Sequence, residues 1–351
     1  MDRISIRSER GADGRFQHPA EHFPDWIDHG FSGFRKWQRT VKKTPLLSKA
    51  ELEASLPVQK PSAAVLTSPP QGEIQVTWLG HASVLTQFDG WNILADPIFS
   101  ARCSPVQWAG PERVRPPPLC AEELPRIDAV VISHSHYDHL DLETVLALAS
   151  RPQGGEPPVW FVPLGMQAWF VAAGVSNVVE MDWAQQATLS CTRRETESNP
   201  YEAVRPDLVV TCLPCQHWCA RTPFDRNRVL WASWHVATND DAAANLSSAN
   251  LSSASATSSA SESASFYFGG DTGYCGHAFR HLGEAFGSID LAAIPIGAYG
   301  GPTETWFHKP SHMNPEEAVR CRGDLRAKHA VAVHWGTFQL TAEPLLEPPQ
   351  R

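Results

Sequence analysis

His134-Ser135-His136-Tyr137-Asp138-His139 follows directly on Ala129-Val130-Val131-Ile132-Ser133, and this stretch decides how the rest of the chain is read. The run AVVIS is continuously apolar up to its terminal serine, as expected of a strand buried on both faces. Alternate residues of an extended chain point the same way, so His134 and His136 can grip one metal together. A turn into a helix beginning near Asp141 then carries Asp138 and His139 to a second position beside the first. Ligands leaving a strand end lie in the crevice at the sheet edge, where α/β folds hold their sites.

Four ligands are too few for two metals, so further ones are expected at other strand ends. His217 follows DLVVTCL (207–213), Asp271 follows FYFGG (266–270), and His334 lies at the end of AVAVHW (330–335). Any one of these alone reads as readily as a satisfied core histidine or a capping aspartate. Taken with the first cluster, they read as ligands. Histidine and carboxylate donors without thiolate suit zinc, with manganese or iron as substitutes. Cys212-x-x-Cys215 invites a zinc-finger reading, but no second pair lies at finger spacing, so Cys212, Cys215 and Cys219 are read as small buried apolar residues.

Working outward, residues 74–351 read as one catalytic domain. IQVTWL, SVLTQF and WNILADP are expected strands, with Asp89-Gly90 as a hairpin turn. DLETVLALAS reads as a helix, PVWFVPL as a strand, and GMQAWFVAAGV as a helix ending at Gly174. Strands follow at NVVEM, DLVVTCL, RVLWASWHV, FYFGG, LAAIPIG and AVAVHW, and helices at HAFRHLGEAF and PEEAVRCRG. Strands first, then strands mixed with helices, suit two sheets sandwiched between helices, an αββα arrangement. Residues 240–265 are almost entirely Ala, Ser, Asn and Thr. Such a run buries too little apolar surface to offset its ordering entropy, and is expected to be a disordered insertion within the domain.

Residues 1–73 read as an N-terminal extension. Between Phe23 and Lys43, Trp26, Ile27, Phe31, Phe34 and Trp37 recur at near-helical spacing, followed by Arg35, Lys36, Arg39, Lys42 and Lys43. Aromatic residues interleaved with basic ones suit contact with an anionic membrane surface. The competing reading packs them back onto the main domain, and Gly30 and Gly33 favour it by weakening a free-standing helix.

The 351 residues carry 29 basic and 38 acidic side chains, a formal charge of -9, which argues against nucleic-acid binding through bulk charge. The charged N-terminus MDRISIRSER lacks the apolar stretch of a secretory signal, and no run of 18 apolar residues occurs. Eight scattered cysteines do not form a disulfide framework. The expectation is an intracellular protein, cytoplasmic or peripherally attached to a membrane.

The pattern HxHxDH with later His, Asp and His resembles the metallo-β-lactamase superfamily. Within it the chain resembles the N-acyl-phosphatidylethanolamine-hydrolysing phospholipase D family, through VTWLGHASV, LADPIFS, ISHSHYDHLD, WFVPLG, QHWC, GDTGYC, DLAAIPIGAY, NPEEAV and HWGTF. These stretches span roughly residues 20 to 348. The resemblance implies two zinc ions, one held by His134, His136 and His217, the other by Asp138, His139 and His334, with Asp271 bridging. It implies that catalysis depends on Asp138, Asp271 and Asp96, the last of these orienting a ligand histidine. It also implies that Tyr137 and His312 contact a phospholipid. His81, in LGHAS, is given no role beyond local hydrogen bonding.

The implied reaction is hydrolysis of N-acyl-phosphatidylethanolamine to N-acylethanolamine and phosphatidic acid, without a covalent enzyme intermediate. The alternatives are another ester, lactone or phosphodiester substrate on the same site, or a truncated, weakly active protein with a binding role. Three departures from the family bear on these. Its members continue beyond LEPP where this chain stops at Arg351; the Ala/Ser insertion is foreign to it; and Ser311 stands beside His312 where the family has glutamine.

Overall fold

In the computed structural model, residues 4–42, 44–151, 157–190, 205–239 and 264–351 are described. The Ala/Ser-rich stretch 240–265 lies outside them except for its last two residues, and Lys43 lies outside them as well. The N-terminal region contributes a two-stranded ribbon, β1 (Glu9–Arg10) and β2 (Phe16–Gln17), and helices α1 (Gly30–Thr40), α2 (Lys49–Ser55) and α3 (Ala63–Thr67). Ile4, Ile6, Phe16 and Phe23 are buried in the main core.

The first sheet runs β3 (Gln75–Gly80), β4 (Ser83–Phe88), β5 (Trp91–Ala95), β6 (Ala129–Val131), β7 (Val159–Pro163) and β8 (Val178–Met181) in spatial order. Its first three strands are antiparallel and the remainder join in parallel, with α4 (Leu142–Ser150) and α5 (Gln167–Ala172) in the connections. The period of two is visible in the packing. Ile93, Ala95, Ala129, Val131 and Phe161 face the core shared with the second sheet. Leu94, Val130, Trp160 and Val162 face the opposite way, onto Val145 and Leu148 of α4 and Phe170 of α5.

The second sheet repeats this pattern with β9 (Gln186–Leu189), β10 (Asp207–Leu213), β11 (Ser233–Asn239), β12 (Ser265–Phe268), β13 (Ile289–Pro295) and β14 (Ala327–Val333). Strands β9 to β12 pair antiparallel, while β12–β13 and β13–β14 are parallel. Between β12 and β13 comes α6 (Gly276–Phe286); α7 (Thr305–His308) and α8 (Pro315–Asp324) precede β14. Helix α8 packs on β13, β14 and α6. Asn314 caps α8 through a capping box with Glu317 and is followed by Pro315 at the first turn, so the sequence NPEEAV fixes that helix start. The chain therefore has the expected αββα layering.

The start of β11 differs from expectation. RVLWASWHV was expected to be strand throughout, but β11 begins only at Ser233. Leu230 N–H donates to Leu164 and Ala232 N–H to Ser133, both in the first half, so residues 228–232 cross between the halves instead of joining the ladder.

The aromatic residues of the N-terminal region divide. Phe23 is buried, Trp26 stacks on His18, and Trp37 stacks on Phe307 at 5.4 Å and donates its indole N–H to Glu304. Ile27 and Phe34 remain exposed. Among the described residues no helix is long and apolar enough to cross a membrane.

Candidate metal centre

Strand β6 ends at Val131, and the chain turns after Ser135, with His139 N–H and Leu140 N–H both bonded to the His136 carbonyl. This short loop places His134, His136, Asp138 and His139 along one rim of the interface between the sheets. The second sheet supplies the opposite rim: His217 four residues beyond β10, Asp271 three beyond β12 and His334 directly after β14. His334 sits at φ 62°, a left-handed conformation uncommon for a residue with a side chain.

Two groups of donors result. His134 Nε2 is 2.8 Å from His136 Nδ1, and His217 Nε2 is 3.3 Å from the same atom. In the second group His139 Nε2 lies 3.3 Å and His334 Nε2 3.5 Å from Asp138 Oδ2. Asp271 connects them. Its Oδ2 is 3.2 Å from His139 Nε2, 3.8 Å from His217 Nε2 and 3.9 Å from His134 Nε2, while its Oδ1 is 3.0 Å from His334 Nε2.

These donors suit metal ligation. A tetrahedral zinc with ligands at about 2.0–2.1 Å sets neighbouring donors about 3.3 Å apart, close to the separations in the second group. His139 Nε2, His334 Nε2 and Asp271 Oδ1 are buried and have no hydrogen-bond partner, although they stand within ion-pair distance of one another. Atoms that converge without being aligned for hydrogen bonds are arranged as ligands.

At His139, His134 and His217 the far side of the imidazole fixes the tautomer. His139 Nδ1–H donates to Asp96 Oδ2 at 2.6 Å, and Ser133 N–H donates to Asp96 Oδ1 at 2.6 Å. Ser133 Oγ donates to Asp96 and accepts from His134 Nδ1 at 2.8 Å. His217 Nδ1–H donates to the Ser311 carbonyl at 3.1 Å. That bond uses the main chain, so it does not depend on which side chain stands at 311.

Burial drives the pKa of His134 and His217 well below the usual imidazole value, which keeps them neutral. Burial opposes charge on His139 too, but the carboxylates of Asp271, Asp138 and Asp96 overcome it and hold His139 high. Asp271 is buried and Asp138 half-buried, yet the adjacent histidines hold both well below the usual carboxylate range.

The remaining expected residues fall around this centre. Asp96 is fully buried beneath it at φ 38°, its backbone tied by its N–H to the Val131 carbonyl. His312 Nδ1 is 3.8 Å from Asp271 Oδ2, with its ring 5.2 Å from that of His217. Tyr137 lies at the loop surface under the Arg221 guanidinium, 3.9 Å from the ring centroid. Cys212, Cys215 and Cys219 are buried, with thiols directed at the carbonyls of Met181, Asp271 and Val229.

Sequence reasoning missed two residues here. Arg221 bonds the carbonyls of Ser135 and Leu140 at 2.9 Å each, clamping the ligand loop at both ends. His81 meets Asp138 across the site. Neither carries a spacing signal, since each is a single residue far in sequence from what it touches.

Residues 91–335 match the family described as "Beta-lactamase superfamily domain". N-acyl-phosphatidylethanolamine-hydrolyzing phospholipase D 1 of Caenorhabditis elegans is 36% identical over 307 residues, covering 86% of this chain and 74% of its own length. An uncharacterized protein of Mycobacterium tuberculosis is 37% identical over 312 residues, 86% of this chain and 70% of its own. The mitochondrial N-acyl-phosphatidylethanolamine-hydrolyzing phospholipase D of Saccharomyces cerevisiae is 31% identical over 276 residues, 78% of this chain and 50% of its own. The chain is a metal-dependent hydrolase of the β-lactamase superfamily and belongs to its N-acyl-phosphatidylethanolamine-hydrolysing phospholipase D family.

Proposed function

We propose that the chain is a two-zinc phosphodiesterase that converts N-acyl-phosphatidylethanolamine to N-acylethanolamine and phosphatidic acid. The observation that carries the metal count is Asp271, whose two carboxylate oxygens reach both donor groups. His134, His136 and His217 would hold one ion, Asp138, His139 and His334 the other, with Asp271 shared. Bound there, a zinc pair supplies hydroxide at neutral pH and neutralises charge developing on phosphoryl oxygens. The substrate class rests on the likeness to the worm and yeast relatives.

The chain's own groups have distinct tasks in this reading. Asp96 and Ser133 fix the rings of His139 and His134, so that Nε2 of each is the nitrogen facing the centre. His312 sits beside Asp271 on the outer side, and burial lowers its pKa to about 3, so it meets an anionic phosphodiester as a neutral donor. Tyr137 and Arg221 border the loop on the solvent side, where a lipid head group would arrive. Ile27, Phe34 and the basic residues of α1 suit peripheral contact with an anionic bilayer.

The test is to purify the chain with its metal, count zinc per chain, and assay the same sample on N-acyl-phosphatidylethanolamine in mixed micelles. Two zinc ions, with phosphatidic acid released and both losses seen in His136→Ala, support the proposal. Two zinc ions without lipid cleavage move the substrate to lactones or other esters. No zinc in a folded sample overturns the reading.

A further inference from the structure

His81 occupies the turn between β3 and β4 at φ 52°, after Gly80 at φ 101°. Glycine takes that conformation without steric cost, but His81 does not, and such strain persists where surrounding contacts hold it. The contacts are extensive. His81 N–H donates to Thr337 Oγ1 at 2.6 Å, while the His81 carbonyl accepts from Trp78 Nε1 at 2.8 Å and from His334 N–H at 2.9 Å. The ring is 1% exposed, with its centroid 4.2 Å from that of His334 and the edge of Phe338 against it. Its Nε2 is aligned on Asp138 Oδ2 at 2.8 Å.

One residue thus touches two of the three ligands of the second group, Asp138 through its side chain and His334 through its carbonyl. We infer that His81 is a positioning residue for the second metal position, orienting the Asp138 carboxylate and fixing the strand end that carries His334. The proposal rests on the two-metal reading above. His81 lies close enough to Asp138, His139 and His334 to be a fourth ligand. Two observations favour positioning. Asp138, His139, His334 and Asp271 already furnish four donors, with neighbouring pairs 3.0–3.5 Å apart. Moreover, His81 Nε2 is hydrogen-bonded to the carboxylate, whereas His139 Nε2 and His334 Nε2 have no hydrogen-bond partner. The strained turn aims the imidazole at a ligand, not at the centre.

The experiment compares full-length wild type, His81→Ala and His81→Gln in zinc titrations against a competing chelator, and in the visible spectrum of the cobalt(II)-substituted protein. Glutamine keeps an N–H donor on a side chain of similar reach. In His81→Ala the first ion should bind as in wild type and the second about 10–100-fold more weakly. His81→Gln should recover most of that loss, and the cobalt spectra at full loading should have the same intensity in all three. Equal affinities in His81→Ala and wild type overturn the proposal. So does a lower melting temperature without a change in metal affinity, or a loss in His81→Ala that His81→Gln does not restore. A cobalt spectrum altered in intensity makes His81 a ligand and overturns positioning. A wild-type chain that holds no metal overturns the metal centre itself, and this role with it.

Discussion

His139 Nδ1 and Asp96 Oδ2 are 2.6 Å apart, and both side chains are completely buried. Their hydrogen bond leaves Nε2 of the same ring as the atom facing Asp138 and Asp271. A metal there would feel Asp96 through the imidazole, because a carboxylate behind a ligand histidine raises its basicity and fixes its plane.

Asp96→Ala is therefore expected to weaken zinc binding by about 10–100-fold. It also leaves Ser133 N–H without its acceptor, at a cost of about 1–3 kcal/mol. Chelator competition measures the first effect and denaturant unfolding of the metal-free protein the second. Unchanged zinc affinity would show that the carboxylate serves only the fold.

Arg221 anchors the ligand loop through the carbonyls of Ser135 and Leu140 and covers the ring of Tyr137. Arg221→Ala should leave two zinc ions bound at saturating metal and lower kcat/KM by about tenfold or more, since misplacing reacting groups by an ångström is costly. Arg221→Lys should recover little, because an ammonium lacks the planar fork that spans two carbonyls. Steady-state kinetics with parallel metal analysis checks this.

Gly297 follows β13, and a Cβ there would come within 2.2 Å of the His334 carbonyl. Gly297→Ala must push the β14 end away, so a stability loss of about 1–3 kcal/mol should accompany poorer zinc retention. A normal melting curve with normal zinc content would show that the strands separate freely there.

His18 is 9% exposed, stacked on Trp26, with neither ring nitrogen hydrogen-bonded. Burial, reinforced by Arg226, lowers its pKa to about 3. Between pH 6.5 and 3 the unfolded chain binds the extra proton, so stability falls as pH drops through that window. At pH 5 this costs about 2 kcal/mol. His18→Phe should leave melting at pH 8 nearly unchanged and raise it at pH 5. Equal shifts at both pH values would assign the effect to packing.

Arg35, Lys36 and Arg39 are exposed along α1, and Lys42 follows its end. Reversing Lys36, Arg39 and Lys42 to glutamate should weaken binding to phosphatidylserine vesicles by roughly 100-fold at low salt, at about 1 kcal/mol for each charge lost. Sedimentation with vesicles reads this directly. Unchanged binding would remove α1 from the membrane contact.

The sequence was most legible where chemistry and periodicity coincided. His134, His136, Asp138 and His139 stand together in the chain, and His217, Asp271 and His334 each follow an apolar run. Strand ends and metal-capable residues could therefore be matched without coordinates. Edge strand β9 was missed because Gln186–Leu189 alternates between exposed and half-buried, without an apolar run. The late start of β11 within RVLWASWHV was missed because local β-propensity says nothing about Ser133 and Leu164 capturing its first N–H groups. His81 and Arg221 act through pairings 57 and 86 residues long, which no local window contains.

The two sheets share one pattern, antiparallel strands giving way to parallel ones, and each contributes part of the candidate ligand set. His134, His136, Asp138 and His139 belong to the first half; His217, Asp271 and His334 belong to the second. Neither half could assemble the centre alone. Bound zinc would act as a clasp across the seam, and its off-rate would report how often the halves part. Substitutions deep in that seam, at Trp231 or Trp234, would then surface as metal loss in a protein whose ligands are all intact.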